Sequence, residues 1–253
     1  MVVSNKCIFD LVIVGAGFGG IGMAVKAKGA NLSFIVIERG VDLGGTWRDN
    51  TYPGSGCDTP SHHYSYSFSP NAKWTQKYSG QREIKAYLGE VVRKNQIFSN
   101  FRFNQKVTTL KWLGGKKCWK ISTNKKEIFL SKMVVSAVGQ LNQPNKPNFS
   151  NIKKFKGKIM HTAEWDDQYG LSGKEIIVVG NGASAVQLIP EISKTARKIN
   201  LIQRSPNWVV PKQDRKYSLI ERYMFTFFPI IRWIYRWFIY WQWENTWQEF
   251  IRG

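Results

Sequence analysis

The stretch IFDLVIVGAGFGGIGMAVKAKGANLSFIVIE, residues 8–38, decides the fold of this chain. An apolar, β-branched run typical of a buried parallel strand leads into GAGFGG, which is followed by a helical pattern and a second strand. Gly15 allows a tight turn, Gly17 lets the backbone approach a pyrophosphate, and Gly20 lets the helix pack close to the strand. Phosphates would then lie at the helix N-terminus, against its exposed N–H groups.

The residue that ends the second strand supports the same interpretation. Glu38 stands where an acidic residue hydrogen-bonds the hydroxyls of a ribose. A GxGxxG spacing alone is weak evidence, but here a strand, a helix and an acid are all in position. The stretch therefore predicts a βαβ unit that binds a dinucleotide.

A second unit of the same plan runs over roughly residues 175–205. Its loop, GNGASA, has Ala185 at the third glycine position, which is an accepted variant of the motif. The predicted cofactor-binding residues of this loop are Gly180, Gly182, Ala183 and Ser184. The second strand is followed by Arg204 rather than by an acid, which suits the 2′-phosphate of NADP. The alternative is that Arg204 is simply a solvent-exposed residue.

Two dinucleotide sites, one acidic and one basic, predict FAD at the first loop and NADPH at the second. A chain built in this way moves a hydride from a nicotinamide to a flavin. The predicted fold class is α/β, with two Rossmann-like βαβ units and an aromatic-rich helical C-terminal segment. The predicted domains are an FAD-binding domain (1–150), a linker (151–168), an NADP-binding unit (169–215) and the aromatic segment (216–253).

The region between the two glycine loops divides into three parts. Residues 40–80 are rich in Gly, Pro, Ser and Tyr and predict a long ordered loop, and residues 81–96 have the apolar spacing of a helix. Residues 101–139 alternate like a β-meander that ends in a buried strand, MVVSAVG.

Composition limits the function classes. The chain has 253 residues, with 43% hydrophobic and 21% charged residues, which fits one or two globular domains. The net charge of +20 indicates either attraction to anions or a Lys-rich solvated surface, and no nucleic-acid-binding signature accompanies it. Three cysteines cannot form a disulfide framework and match no zinc spacing, and no signal peptide is predicted, so a cytoplasmic location is expected.

The C-terminal part, residues 217–250, is packed with aromatic side chains. Its apolar run is broken by charges, so no segment reaches the roughly 20 residues that a spanning helix needs. Arg232 with Arg236, and Trp233 with Trp237, are spaced at i, i+4. That pattern suits a helix at a membrane surface, with peripheral contact through residues 223–243. The favoured alternative is an inserted helical segment that packs on a C-terminal part of the protein expected outside these 253 residues.

Two further stretches carry a resemblance to a known family. Together with both glycine loops, residues 44–68 (GGTWRDNTYPGSGCDTPSHHYSYSF) and 155–166 (FKGKIMHTAEWD) resemble the flavin-containing monooxygenases, in particular the Baeyer–Villiger monooxygenases. The fingerprint of that group, FxGxxxHxxxW followed by Pro or Asp, is complete here: Phe155, Gly157, His161, Trp165 and Asp166. The related N- and S-oxidising branch carries a similar stretch.

The resemblance also implies roles for individual residues. Thr46 and Trp47 would lie against the flavin ring, and Asp58 would lie beside it, paired with an arginine. Val107 would touch the adenine through its backbone, and His161 would hold the linker while the domains shift. The catalytic residues are therefore predicted to be Asp58 and His161, and further cofactor contacts are expected at Phe18, Arg39, Gly45 and Tyr64.

Three neighbouring residues are given no chemical role. Cys57 is interpreted as a small packed residue rather than a reactive thiol. His62 and His63 form a pair without a third ligand at metal spacing, so no metal is predicted.

The chemistry that the resemblance implies is oxygen insertion. NADPH reduces FAD, and the reduced flavin reacts with O2 to a C4a-peroxyflavin, which oxidises a ketone or a soft N or S centre. The expected partners are thus a small-molecule substrate and O2, with no specific nucleic acid.

The family pattern also sets an expectation about the extent of the chain. In that family the chain returns after the NADP domain to complete the flavin domain, so the return strands and the arginine partner of Asp58 are expected to lie outside these 253 residues. One alternative is a non-catalytic FAD/NADP-binding or membrane-binding fragment. Another is a different two-dinucleotide flavoprotein reductase, against which the lack of a CxxC motif argues.

Overall fold

The computed structural model describes residues 8–252, with side chains for residues 8–245. These residues form two compact units. The first comprises residues 8–50 and 85–165, and the second comprises 51–84 and 166–252. Residues 51–84 thus belong with the second glycine loop, while the domain boundaries expected from the sequence stay predictions.

A six-stranded sheet organises the first unit. Its order is β3 (Phe101–Arg102), β2 (Phe34–Ile37), β1 (Phe9–Val14), β6 (Ile128–Ser136), β5 (Cys118–Thr123), β4 (Val107–Leu113). Strand β1 is parallel to both β2 and β6, and helix α1 (Phe18–Gly29) connects β1 to β2. The predicted first βαβ unit is therefore confirmed. The sheet buries a cluster made of Val12, Ile35, Ile37, Ile121 and Phe129.

The β-meander is confirmed in strands β4, β5 and β6, which pair antiparallel in chain order. The predicted buried run is less buried than expected, since Met133 in β6 is 50% exposed and Val138, just after the strand, is 49% exposed. An apolar β-branched run looks the same in sequence whether its sheet is covered on one face or on two. The short strand β3 is also outside the meander, because it pairs in parallel with β2.

Two helices complete this part of the chain. Helix α2 (Thr46–Asp49) is a single turn within the predicted long loop. Helix α3 (Gln81–Lys94) lies within the predicted range 81–96, and its residues 81–84 belong to the second unit. Its buried apolar residues are the predicted ones: Ile84, Tyr87, Leu88, Val91 and Val92.

The second unit contains the other βαβ element. Strand β7 (Glu175–Val179) is parallel to β8 (Lys198–Ile202), and helix α4 (Ala183–Ile192) connects them, as predicted. Helices α5 (Leu219–Phe227) and α6 (Pro229–Arg252) form the aromatic segment, which is also confirmed as helical. Ser218 and Glu221 form a capping box at the start of α5, and Arg215 binds the Glu221 carboxylate.

The inner side of this helical segment packs around His62. The imidazole lies 4.5 Å from the Phe225 ring, 5.4 Å from Tyr217 and 5.5 Å from Tyr235, measured between ring centroids. Arg236 Nη1 donates to the carbonyl oxygens of His62 (2.6 Å) and Ser65 (3.1 Å). The helices are thus attached to the 60–66 loop of the same unit.

The outer side of α6 is apolar and about half exposed at Trp233, Trp237, Phe238 and Trp241. Among the described residues, no helix combines the length and the apolar character that a bilayer crossing requires. The two arginines of the predicted surface helix bind carbonyl groups, Arg232 that of Phe225 and Arg236 those of the 60–66 loop.

We expect the substitution Gly54→Ala to lower the free energy of unfolding by about 2 to 4 kcal/mol. Gly54 has φ +81°, and a Cβ there would lie 2.3 Å from the Gln187 carbonyl oxygen in α4. The matched control is Gly89→Ala inside α3, where nothing lies within 4 Å of the added Cβ. That change should stabilise by about 0.5 to 1 kcal/mol. Urea unfolding measures both, and equal effects would contradict the packing of Gly54 on α4.

We also expect the stability of the protein to fall in acid because of His62. Burial, with the charges of Arg232 and Arg236, lowers the pKa of His62 from 6.5 to about 4. Below pH 6.5 the His62 imidazole takes up a proton in the unfolded chain, whereas in the folded chain it stays neutral until the pH approaches its lowered pKa of about 4. Between pH 7 and pH 4 the parent should therefore lose roughly 3 kcal/mol relative to His62→Phe. Urea unfolding at each pH measures the difference, in which shared carboxylates cancel; parallel curves would refute the prediction.

Candidate cofactor-binding sites

The first glycine loop has the geometry of a phosphate cradle. Gly15 has φ +106°, and a Cβ there would lie 2.4 Å from the Ala137 carbonyl oxygen. A Cβ on Gly20 would lie 1.8 Å from the Gly15 carbonyl oxygen, so the helix can approach the strand only with glycine here. Gly17 is the N-cap of α1, and the nearest atom to a Cβ on it is the Gly45 Cα at 3.7 Å. The backbone at Gly17 is thus open to a close ligand.

Glu38 follows strand β2 and is 4% exposed. Its Oε2 accepts the Ala16 N–H at 2.7 Å, and its Oε1 accepts the Gly40 N–H at 2.7 Å and Arg48 Nη1 at 2.8 Å. The predicted ribose ligand therefore first ties the glycine loop to the end of β2. A carboxylate has about four acceptor positions. Three are used by described residues, and the position left on Oε2 fits one ribose hydroxyl.

Arg48 is a residue that sequence reasoning missed. Its side chain is 11% exposed and donates to Glu38, to the Asp42 carbonyl and to both carboxylate oxygens of Asp49. Burial alone would lower the pKa of Arg48, but its bonds to Asp49 and Glu38 outweigh burial and the pKa is raised. A lone arginine within an acidic, glycine-rich loop was the available signal.

The other predicted FAD contacts of the first unit lie around this loop or on its sheet. Gly45 has φ +54°, and a Cβ there would lie 3.0 Å from the Gly17 Cα, so the two backbones touch. Thr46 begins α2, and Trp47 is buried. The remaining three are Phe18, with its ring 6.3 Å from Tyr87, Arg39, which donates to the Asn142 carbonyl, and Val107, which packs on the sheet core.

The fingerprint stretch has a defined local structure. The Phe155 ring lies over Gly157, where a Cβ would be 2.6 Å from a ring carbon. His161 Nδ1 accepts the Ala163 N–H at 3.1 Å, and the His161 carbonyl accepts the Glu164 N–H at 2.8 Å. Glu164 forms an ion pair with Lys146. His161 therefore shapes a turn with both its side chain and its backbone, which supports a structural role.

The second glycine loop is open to solvent. Gly180 has φ +103°, and its N–H donates to the Ile202 carbonyl at 2.8 Å. Apart from the adjacent residues, no described atom lies within 4 Å of a Cβ on Gly180 or Gly182, and Gly182 is the N-cap of α4. Ala183 is exposed and Ser184 is half-buried in the first turn of that helix. The loop therefore leaves room for a phosphate at the α4 N-terminus.

Asn181 is a second residue that sequence reasoning missed. Its Nδ2 donates to Gln203 Oε1 at 3.0 Å and to the Ser205 carbonyl at 2.7 Å, and its carbonyl accepts Asn207 Nδ2 at 2.9 Å. These bonds fasten the glycine loop to the segment that carries Arg204. Arg204 itself is exposed, which fits both a phosphate ligand and a plain surface residue.

Asp58 and Tyr64 belong to the second unit. The Asp58 carboxylate is approached by Gln187 Nε2 at 3.1 Å and by Lys212 Nζ at 3.5 Å, two partners that the sequence did not reveal. The Tyr64 N–H donates to the Pro60 carbonyl at 2.8 Å. Cys57 is buried, and burial raises the pKa of its thiol, as expected of a packed residue. Residues 8–245, whose side chains are described, contain no cluster of three or more His, Cys, Asp or Glu suited to a metal.

The chain is similar to known proteins over most of its length. A family model described as pyridine nucleotide-disulphide oxidoreductase matches residues 12–228. A Baeyer–Villiger monooxygenase of Streptomyces coelicolor is 41% identical over 213 residues, which cover 84% of this chain and 41% of the relative. The chain therefore spans about two fifths of the length of such curated relatives.

Solved structures agree in fold over most of the chain. Cyclohexanone monooxygenase from Rhodococcus sp. Phi1, bound to NADP+, matches with a TM-score of 0.81 at 32% identity, over 88% of this chain and 43% of that one. OTEMO in complex with FAD and NADP matches with a TM-score of 0.81 at 29% identity, over 88% and 44%. The resemblance seen in the sequence is thereby confirmed.

We expect Glu38→Ala to lower the free energy of unfolding of the ligand-free protein by about 2 to 4 kcal/mol. The change leaves the N–H groups of Ala16 and Gly40 without their acceptor and removes one of the acceptors of the nearly buried Arg48. Asp49→Ala is the control, because Asp49 binds the same guanidinium from a side chain that is 36% exposed. It should cost under about 1 kcal/mol. Urea unfolding measures the free energy of unfolding of both variants. Similar losses would contradict the role of Glu38 in holding the glycine loop, the end of β2 and Arg48 together.

Proposed function

Because this chain belongs to the pyridine nucleotide-disulphide oxidoreductase family, we propose that it is the FAD- and NADPH-binding part of a Baeyer–Villiger-type monooxygenase. The observation that carries the proposal is the pair of open glycine loops, each placed before a helix N-terminus. One loop is bonded to a buried acid, and the other is fastened to a segment with an exposed arginine.

At the first loop the residues fit FAD. Bound FAD supplies a two-electron carrier that accepts a hydride from NADPH and passes electrons to O2. The N–H groups at the start of α1 hold the pyrophosphate, Gly17 allows its close approach, and Glu38 Oε2 accepts a ribose hydroxyl. The further contacts that we propose are Phe18, Arg39, Gly45, Thr46, Trp47, Tyr64 and Val107.

At the second loop the residues fit NADPH. The first N–H groups of α4, at Ala183 and Ser184, bind the pyrophosphate, and Arg204 binds the 2′-phosphate. A guanidinium favours a dianionic 2′-phosphate over the neutral 2′-hydroxyl of NADH. NADPH is therefore the preferred reductant.

Two residues are proposed to act in catalysis with different roles, Asp58 at the reacting centre and His161 as a positioning residue. Asp58 carries a negative charge that orients a cation beside the place where charge develops during oxygen transfer. His161 holds the fingerprint turn through its bonds to Ala163 and Glu164 and moves no proton. The substrate is a small ketone or a compound with a soft N or S centre, and O2 is the co-substrate.

Disulfide reduction is the competing reaction in the same family. Such an enzyme needs two cysteines that can form and break a disulfide, and the sequence has no CxxC pair. The cysteines within the described residues, Cys57 and Cys118, are both buried and free. The named relatives are also monooxygenases, which favours oxygen transfer.

Spectroscopy of the purified chain tests the proposal. We expect added FAD to bind, NADPH to bleach its visible absorption and air to restore it. Arg204→Gln should weaken reduction by NADPH roughly tenfold to a hundredfold and leave reduction by NADH unchanged, because only the 2′-phosphate is lost from the contact. Stopped-flow measurements of flavin reduction at several concentrations of NADPH and of NADH give the dissociation constant and the limiting rate of reduction for each nucleotide.

Arg197→Gln is the matched control, since Arg197 is an exposed arginine of the same unit that pairs with Glu175. It should behave like the parent with both nucleotides. A chain that binds neither FAD nor NADPH would leave only a non-catalytic fragment. Binding of vesicles with anionic headgroups by that same chain would favour the membrane alternative. Equal losses with NADPH and NADH would remove Arg204 from the site.

A further inference from the structure

We propose that Gln187 and Lys212 are positioning residues for the Asp58 carboxylate, Gln187 by fixing its orientation and Lys212 by placing a positive charge beside it. Both lie in the same unit as Asp58. Only the place of Asp58 beside the flavin rests on the proposed function. The contacts themselves are visible in the protein alone.

The Gln187 side chain uses its whole hydrogen-bonding capacity on the Asp58 loop. Its Oε1 accepts the Tyr52 hydroxyl at 2.8 Å and the Gly56 N–H at 3.3 Å. Its Nε2 donates to the Gly56 carbonyl at 3.0 Å and to Asp58 Oδ1 at 3.1 Å. An amide has two donors and one doubly accepting oxygen, so no other side chain of this size satisfies all four partners.

The same helix and loop are in close backbone contact at Gly54. A Cβ on Gly54 would lie 2.3 Å from the Gln187 carbonyl oxygen and 3.0 Å from Glu191 Cγ. The loop therefore lies directly on α4, which begins after Gly182, about one and a half turns before Gln187. The carboxylate is thus held by the helix that also carries the second glycine loop.

Lys212 approaches the same carboxylate from another segment. Its Nζ donates to the Cys57 carbonyl at 2.8 Å and lies 3.5 Å from Asp58 Oδ1. The ammonium also lies 4.9 Å from the centre of the Tyr78 ring. Backbone bonds between Lys77 and Arg215, and between Thr75 and Tyr217, hold this segment in place. Lys212 is therefore supplied at a fixed position.

The contact between Lys212 and Asp58 differs from a stabilising ion pair because both side chains are exposed to water. The Asp58 side chain is 64% exposed and that of Lys212 is 37% exposed. Pairs of this kind contribute little to stability, because water screens the charges. An exposed carboxylate that is fixed by an amide and accompanied by a cation is instead suited to act on a ligand. Removing the charge of Lys212 should therefore change a property that reports on local charge, such as a redox potential, and should leave the free energy of unfolding nearly unchanged.

The first test uses the protein without any cofactor. Gln187→Glu keeps the shape of the side chain but removes both donors and faces one carboxylate with another. We expect its unfolding equilibrium constant to rise on the order of tenfold or more. Adding Asp58→Asn should recover part of the loss, because the new amide can donate to Glu at 187. No recovery in the double variant would overturn the role of Gln187.

The second test measures the midpoint potential of bound FAD. Lys212→Met removes a charge at nearly constant length, and we expect a more negative potential, because reduced flavin gains negative charge. Lys212→Arg should keep the parent potential. Lys194→Met, which removes a lysine paired with Glu191 in the same unit, should do so as well. A merely structural role would leave all four proteins alike.

The outcomes separate the two levels of inference. Recovery in the double variant together with an unchanged potential in Lys212→Met would keep Gln187 and refute Lys212. If FAD does not bind at all, the proposed function fails. Burial raises the pKa of the Cys57 thiol and the nearby Lys212 ammonium opposes that rise, so the thiol then reports on the charge of Lys212. Slower alkylation of Cys57 in Lys212→Met than in Lys212→Arg would support the charge beside Asp58, and equal rates would refute it.

Discussion

The first unit depends on a single buried carboxylate. Glu38 follows strand β2, and its two oxygens bind the N–H groups of Ala16 and Gly40 and the guanidinium of Arg48. These three groups come from the glycine loop, the chain after β2 and helix α2. Burying such a charge is costly unless it is fully paired, so the three partners have to be present together. The cradle for a pyrophosphate is therefore fixed in the protein itself, before any ligand arrives.

In the second unit a neutral side chain, that of Gln187, holds a loop in a similar way. Gln187 binds Tyr52, Gly56 and Asp58 at once, and Gly54 lets the loop lie on the helix backbone. An amide does not bear the desolvation cost of an ion, so Gln187 can hold the loop that carries Asp58 without a compensating charge. The two units thus use different groups for similar tasks. A buried charge closes the first loop, and a saturated amide holds an exposed carboxylate in the second.

Sequence patterns predicted the backbone better than the side-chain contacts. Both βαβ units, the meander and the helical C-terminal segment follow from periodicity and glycine spacing, because these features are local. Glu38 was predicted as a ribose ligand, yet its bonds within the protein were not. Asn181 and Gln187 were missed because their partners are distant in sequence or are backbone groups, and Arg48 was missed because its bond to Glu38 spans ten residues. The exposure of Met133 was missed because a strand does not reveal how many of its faces are covered.

The C-terminal helix shows that the spacing of residues in the sequence does not identify the groups that they contact. Successive residues of an α-helix are about 100° apart, so the pair Arg232 and Arg236 lies on a different face from Trp233 and Trp237. In the structure the arginines bind carbonyl oxygens of Phe225, His62 and Ser65, while the tryptophans remain half exposed. The membrane interpretation required both pairs at one lipid surface. Since both arginines are engaged within the unit, the tryptophan face is an apolar surface without their charge, which suits contact with protein better than contact with anionic headgroups.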